Sequence, residues 1–451
     1  MQIKATILTL AMLTAGLAAV GCGADETPPV GPGPSNAVTY YQHVAPVLNA
    51  KCVGCHQEGG IAPFVLDRYD IVSKRAQIIR AVVVDRSMPP WPPGPQTPEL
   101  RHERKLTEDE IALVTRWVDD GAPAGDADNP APLPPPDSVA LQRADISVDI
   151  GVDYAPDTTL KDEYRCFLVD LGTSEDRVAV GFRITPTNRA IAHHSIVTLF
   201  ERSELAKLQA LDAETPDRAG WPCFAGPVPT NANIRSIGRL GAWVPGVDAV
   251  LRRPGVGTPV PAGALAVVQM HYNNEGGSGT DRTRLAVQLA DKADEPSLQK
   301  LQLLPMRNGQ LSIPRDQPDV VQEKAQTSKQ WAAGRFFPDG EGYLVGVAAH
   351  MHLLGTAFRV TLERDGKTQV LLDIPRWDFS WQSQYDFVEP IKVLPDDKLT
   401  VRCVYNNTMA HRVAAGASRE MRDVSWGEGT NDEMCIGYLD VVDNKPPPLS
   451  K

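Results

Sequence analysis

Two histidines one residue apart, His350 and His352, lie inside the apolar run Val345-Gly-Val-Ala-Ala-His-Met-His-Leu-Leu-Gly355. In an extended strand residues i and i+2 share a face, so the run predicts two imidazoles side by side, which is half of a metal site. A lone histidine in such a strand is ordinarily a hydrogen-bonded core residue, and the pair alone leaves both readings open. The census favours metal. Of nine histidines, five fall in three apolar, strand-like contexts: His193 and His194 in Ile191-Ala-His-His-Ser-Ile-Val-Thr-Leu-Phe200, His271 in Val267-Val-Gln-Met-His-Tyr272, and the His350/His352 pair. Met434, in Asn431-Asp-Glu-Met-Cys435, stands in a polar stretch where a core methionine is not expected. A thioether joined to two imidazoles selects copper, Cu(I) in particular, over zinc or iron, and an all-imidazole set suits copper equally. His43 and His102 lie in polar stretches and read as solvated, and His411 has no evident role.

A second chemistry is written near the start. Cys52-Val-Gly-Cys-His56 is the attachment signature of c-type haem, with two thioether links and His56 as proximal iron ligand. A disulfide or a zinc knuckle is the alternative, but no second Cys/His pair lies at suitable spacing. The only methionine between positions 13 and 269 is Met88, in Arg86-Ser-Met-Pro-Pro-Trp-Pro-Pro93, where prolines stiffen a loop that would present its sulfur as sixth ligand. Thr107-Glu-Asp-Glu110 reads as a capping box opening a helix whose stripe Ile111, Val114, Trp117, Val118 stops at Gly121. Residues 38–123 thus read as a small all-α cytochrome c domain.

The elements that must hold these groups follow from the rest of the chain. With 451 residues, abundant glycine and proline and few aromatics, the composition suits about three domains built mostly from short strands and turns. A net charge of -11 argues against nucleic acid or an anionic membrane surface as partner. Residues 1–22 read as an export signal; the small residues before Cys22 resemble a lipoprotein cleavage site, with Cys22 as the lipidated residue and a plain signal peptide as the alternative. Residues 23–37 have the composition of a flexible tether, and residues 124–139 that of a proline-rich linker. Beyond it the texture is β: Phe358–Arg364 and Lys367–Ile374 flank an Asp365-Gly366 hairpin turn, and two antiparallel sandwiches are expected over 140–285 and 286–446. Seven cysteines in an oxidising compartment should serve as anchor, haem links or disulfides.

Ala192-His-His-Ser195, Val268-Gln-Met-His-Tyr272, His350-Met-His-Leu-Leu-Gly355, Arg402-Cys-Val-Tyr405 and Trp426-Gly-Glu-Gly-Thr-Asn-Asp-Glu-Met-Cys435 occur in the order found in the type II copper monooxygenases. The chain resembles that family over roughly residues 145–445. The resemblance implies two jelly-roll-like sandwiches with a copper ion on each. His193, His194 and His271 would form the electron-storing site, and His350, His352 and Met434 the catalytic site where dioxygen and substrate meet. Gln269 and Tyr438 would stand behind the ligands, and Cys403 and Cys435 would form a disulfide anchoring the Met434 segment. Cys166 and Cys223 remain as a further possible pair. At the positions where peptide-hydroxylating members carry an arginine and an asparagine, this chain has Ala348 and Ile436, so glycine-extended peptides are a poor fit.

The implied activity is hydroxylation of a C–H bond of a small organic substrate by dioxygen. Family members draw electrons from ascorbate; a haem on the same chain suggests another route, fed by an external donor, in which a tether keeps the cytochrome concentrated near the three-histidine copper. The alternative is a non-catalytic electron-transfer or copper-holding lipoprotein. The expected location is the periplasmic side of a bacterial cell envelope.

Overall fold

The computed structural model describes residues 37–446 except 59–61, 135–139, 225, 230, 245–246, 248, 275–276, 333–341 and 428. The expected export signal, Cys22, the tether up to residue 36 and the end of the proline-rich linker lie outside the described residues.

The first part of the chain is helical. Ala45–Lys51, Ala76–Val84 and Glu108–Asp119 are its main helices. The last begins where Thr107 and Glu110 cap one another: the Thr107 hydroxyl accepts from the Glu110 amide at 3.2 Å, and the Glu110 carboxylate from the Thr107 amide at 2.7 Å. Its buried face, Val114, Trp117 and Val118, meets Val44, Leu48, Val72, Ile79 and Val83 in a core of their own.

Two pairs of mainly antiparallel sheets follow. In the first, a five-stranded sheet runs Trp221–Pro222, Asp162–Asp170, Leu265–Asn273, Ala192–Phe200, Ser236–Trp243. It shares a core with a second sheet containing Ile146–Asp149, Arg284–Leu289, Arg177–Thr185 and Val256–Val260. Strand parity divides the central strand: Ala266, Val268, Met270 and Tyr272 enter this core, while Leu265 and Val267 pack against a helix-covered cluster on the other face. Gln269 and His271 share that outer parity, which turns them away from the core.

In the second pair, the order is Gln302–Arg307, Ile436–Val442, Gly342–His350, Gln384–Val393 in one sheet and Val320–Thr327, Lys398–Tyr405, Gly355–Arg364, Lys367–Ile374 in the other. Leu344, Val347, Val360, Leu372, Val401 and Leu439 fill the space between them. The expected hairpin is present, Asp365 and Gly366 taking φ of 50° and 72° as a two-residue turn of this hand requires. The fold is therefore mostly β, with a helical first part.

The stretch after Met88 does not hang free. Arg101 N donates to Asp386 O at 2.8 Å and Val388 N to Glu99 O at 3.0 Å, while Leu100 bridges Phe387, so residues 99–101 run antiparallel along the outer edge of strand Gln384–Val393. Gly94 N adds a bond to Asp373 O at 2.7 Å. The helical part is thereby bonded to the second sandwich, and Val38–Lys451 form one compact unit.

Candidate metal centre

His193 and His194 are sequence neighbours, and a regular strand would point them to opposite faces. The register explains how both reach one site. Ala192 pairs with Tyr272 and His194 with His271, so an extra residue is inserted between them and His193 sits at a bulge. Three imidazole nitrogens converge as a result: His194 Nδ1 lies 3.1 Å from His271 Nδ1 and 3.3 Å from His193 Nδ1, and one ligand atom of each ring falls within 4.8 Å of the others. The far side of His271 is tied down, since its Nε2 donates to Asp162 Oδ1 at 2.9 Å, which leaves Nδ1 as the lone-pair nitrogen. Tyr164 stacks on the same ring at 4.1 Å between centroids. Burial pushes the Asp162 carboxyl up, but the hydrogen bonds from His271 and Asn273 outweigh it and hold the group below its usual range.

The second group is assembled differently. Strand Gly342–His350 ends at the first histidine, so His352 lies beyond it and the expectation of two ligands on one strand is corrected. The rings still meet, with centroids 5.1 Å apart. What positions His352 is Glu433, whose fully buried carboxylate accepts from His352 N at 2.9 Å and from Leu354 N at 2.6 Å. Trp377 Nε1 holds the His352 carbonyl at 3.1 Å. Each ring then has its Nδ1 engaged, His350 donating to Gln382 Oε1 at 2.6 Å and His352 to the Asp432 carbonyl at 3.1 Å, which leaves the Nε2 lone pairs. Met434, directly after Glu433, is buried, and its carbonyl accepts from Tyr405 Oη at 2.7 Å.

Both expected bridges form. Cys403–Cys435 joins the residue after Met434 to strand Lys398–Tyr405, and Cys166–Cys223 spans 57 residues beside the three-histidine group. Gln269 Nε2 donates to Cys223 O at 2.6 Å, which ties that bridge to the histidine-bearing strand.

A cavity of about 380 Å³ is lined by His193, His194, Gln269, His350, His352 and Met434 together. Phe379 stands between the groups, its ring 6.1 Å from that of His193 and 6.1 Å from that of His352, so these two ligand rings are at most twice that distance apart. Ala348, Ile436 and Tyr438 line the wall, and Arg239, from the first sandwich, lies 4.9 Å over the Tyr438 ring. No carboxylate is among the described lining residues; Arg239 and Arg307 are the charged ones.

Burial lowers the pKa of all five histidines, bringing His193 down to about 4 and His350 to about 3. At neutral pH they are uncharged and their lone pairs are free to bind metal. Three neutral imidazoles at one end and two imidazoles with a thioether lining the other are donor sets that fit copper.

Asp162, Glu433 and Gln382 escape sequence reading, because a single acid or amide in a polar stretch carries no periodic signal. Of the remaining histidines, His43 is exposed, His102 is exposed at a left-handed backbone position, and His411 Nε2 donates to the Leu353 carbonyl at 3.3 Å, bracing the turn after His352.

Residues 301–442 match the family model described as copper type II ascorbate-dependent monooxygenase, C-terminal domain. DBH-like monooxygenase protein 1 of Gallus gallus is 31% identical over 131 residues, which is 28% of this chain and 20% of that protein, so the chain spans about a fifth of the relative's length. Among solved structures, an allantoicase is 13% identical with a TM-score of 0.17, covering 54% of this chain and 78% of that one. A Paenibacillus xanthan lyase is 10% identical with a TM-score of 0.15, covering 63% and 23%. Scores this low carry no argument. The family model and the avian relative both support the copper type II monooxygenase family, whose members bind copper.

Proposed function

We propose that the protein is a copper-dependent monooxygenase that hydroxylates a C–H bond of a small organic molecule with dioxygen, using electrons that enter through a haem on Cys52 and Cys55. The observation that carries this reading is the single cavity bordered by both groups of soft and nitrogen donors. His193, His194 and His271 would hold one copper ion, and His350, His352 and Met434 the other. Bound copper supplies the stepwise electron chemistry with dioxygen that no side chain performs. The chain's own contribution is placement. Asp162 and Gln382 fix ring orientation and tautomer, Glu433 and the Cys403–Cys435 bridge brace the Met434 segment against the turn that carries His352, and Phe379 and Trp426 line the cavity.

The haem reading rests on the fit of its ligands. Cys52 and Cys55 are free thiols, and the His56 ring donates from Nδ1 to the Phe64 carbonyl at 3.0 Å, leaving Nε2 for iron. Met88 is the proposed sixth ligand. Residues 38–123 would then be a cytochrome c domain, carried on a lipid at Cys22 on the periplasmic side of the envelope.

The test is to reduce the haem- and copper-loaded protein without air, admit oxygen, and follow oxygen uptake and the haem band with candidate substrates. Substrate-dependent oxygen uptake that is lost in Met434→Ile supports the enzyme. Equal uptake by parent and variant supports a carrier that only holds copper and passes electrons.

A further inference from the structure

A second cavity, of about 350 Å³, lies where the helical part meets both sandwiches. One wall is formed by Lys51, Gly54, Cys55 and Gln57, in and beside the Cys-Val-Gly-Cys-His motif; the opposite wall includes residues Gln382–Asp386. Gln382, Ser383 and Gln384, with Ala242 and Val244 of the first sandwich, line this cavity and the metal cavity alike, so together they form the partition. None of His193, His194, His271, His350 and His352 borders the second cavity, and of the shared residues Gln382 hydrogen-bonds one of them, His350.

Three features make the partition a connection. Gln382 is held at both ends of its amide: its Nε2 donates to the Phe379 carbonyl at 2.9 Å, and its Oε1 accepts from His350 Nδ1 at 2.6 Å. Trp91, three residues past Met88, meets the Tyr385 ring edge-on at 5.4 Å, and Tyr385 and Gln384 pair with Val347 and Ala348 on the strand that ends in His350. Tyr385 is 3% exposed and borders the second cavity. The spacing is also fixed, because residues 99–101 are bonded along the same strand. The helical part and the second sandwich are thus in fixed contact, and the Gln382–His350 bond favours the two-histidine site as the point of entry.

We propose that electrons from a haem bound at Cys52–His56 enter the copper pair at the His350 side, across the 382–386 partition, with Gln382 as the link. The proposal rests on the haem reading above. The step is a one-electron exchange in which ferrous haem becomes ferric and cupric copper becomes cuprous. No proton moves, and an external one-electron donor must re-reduce the haem for the second electron of each turnover.

The experiment uses the full chain matured with haem, with haem content measured as its pyridine complex and copper by atomic absorption. Haem is reduced by a flash in protein holding cupric copper, without air, and haem reoxidation is followed together with the cupric resonance. Gln382→Leu is expected to slow haem reoxidation about tenfold at parental haem and copper content, and Gln382→Glu, which keeps an acceptor for His350, to restore most of the rate. His193→Ala, which removes the three-histidine copper, should still show haem reoxidation matched by loss of the remaining cupric signal. A parental rate in Gln382→Leu with both cofactors loaded, or a haem that stays ferrous in His193→Ala, overturns the route while leaving the haem reading standing. Absence of covalent haem in the parent overturns both.

Discussion

The two ligand groups reach the same cavity by opposite constructions. The three-histidine group is made inside one sheet: two adjacent strands carry all its rings, a single bulge adds the third, and Asp162 comes from the next strand over. The other group is stitched from a strand end, an irregular turn and the Asp432–Cys435 segment, and its coherence depends on a buried carboxylate, a disulfide and two backbone-directed bonds from Trp377 and Tyr405. Sheet register makes the first robust. The second keeps its shape only while each cross-tie holds, which leaves its ligands fewer constraints from regular structure and more freedom at the metal.

Glu433→Ala should expose this difference most. It strands the buried amides of His352 and Leu354, and the expected loss is about 4 kcal/mol in urea unfolding, with half the bound copper lost and the three-histidine half retained. Equal loss of both coppers would erase the contrast. A pH effect comes next. Burial pushes the Asp440 carboxyl up to about 7 although Arg252 pulls against it, so the folded state holds this proton more tightly than the unfolded chain does. Its contribution to stability is complete below about pH 4 and is lost as pH climbs to about 7, and Asp440→Asn should flatten that slope in denaturation curves across the range.

Removing the Cys403–Cys435 bridge by paired serine substitution should cost about 3 kcal/mol, read from the urea midpoint, and weaken copper at the stitched site alone. The reciprocal change is Asp162→Asn, which should loosen only the three-histidine copper, by about tenfold in competition with a chelator, with unfolding little altered. Arg239→Ala should be mildest: the stacking on Tyr438 contributes less than about 1 kcal/mol to stability.

The clustered histidines were legible in the sequence because histidine is rare and sat in apolar runs, and the Asp365-Gly366 hairpin because its turn chemistry is local. The capped helix from Glu108 was readable for the same reason. What stayed hidden depends on pairing between distant segments. That His193 and His194 share a face follows from an inserted residue seen only against strand Leu265–Asn273, and that His352 lies past its strand follows from Glu433, eighty residues on in round terms. The attachment of residues 94–101 is carried largely by main-chain amides and carbonyls, which leave no trace in residue type.

That attachment bears on how the molecule can be cut. Strand Gln384–Val393 is the last in its sheet, and residues 99–101 cover part of its open side. A shortened version beginning at the first sandwich would uncover bare amides at that border and invite self-association through added strands. The segment that follows Met88 thus shields one border of the second sandwich from strand addition.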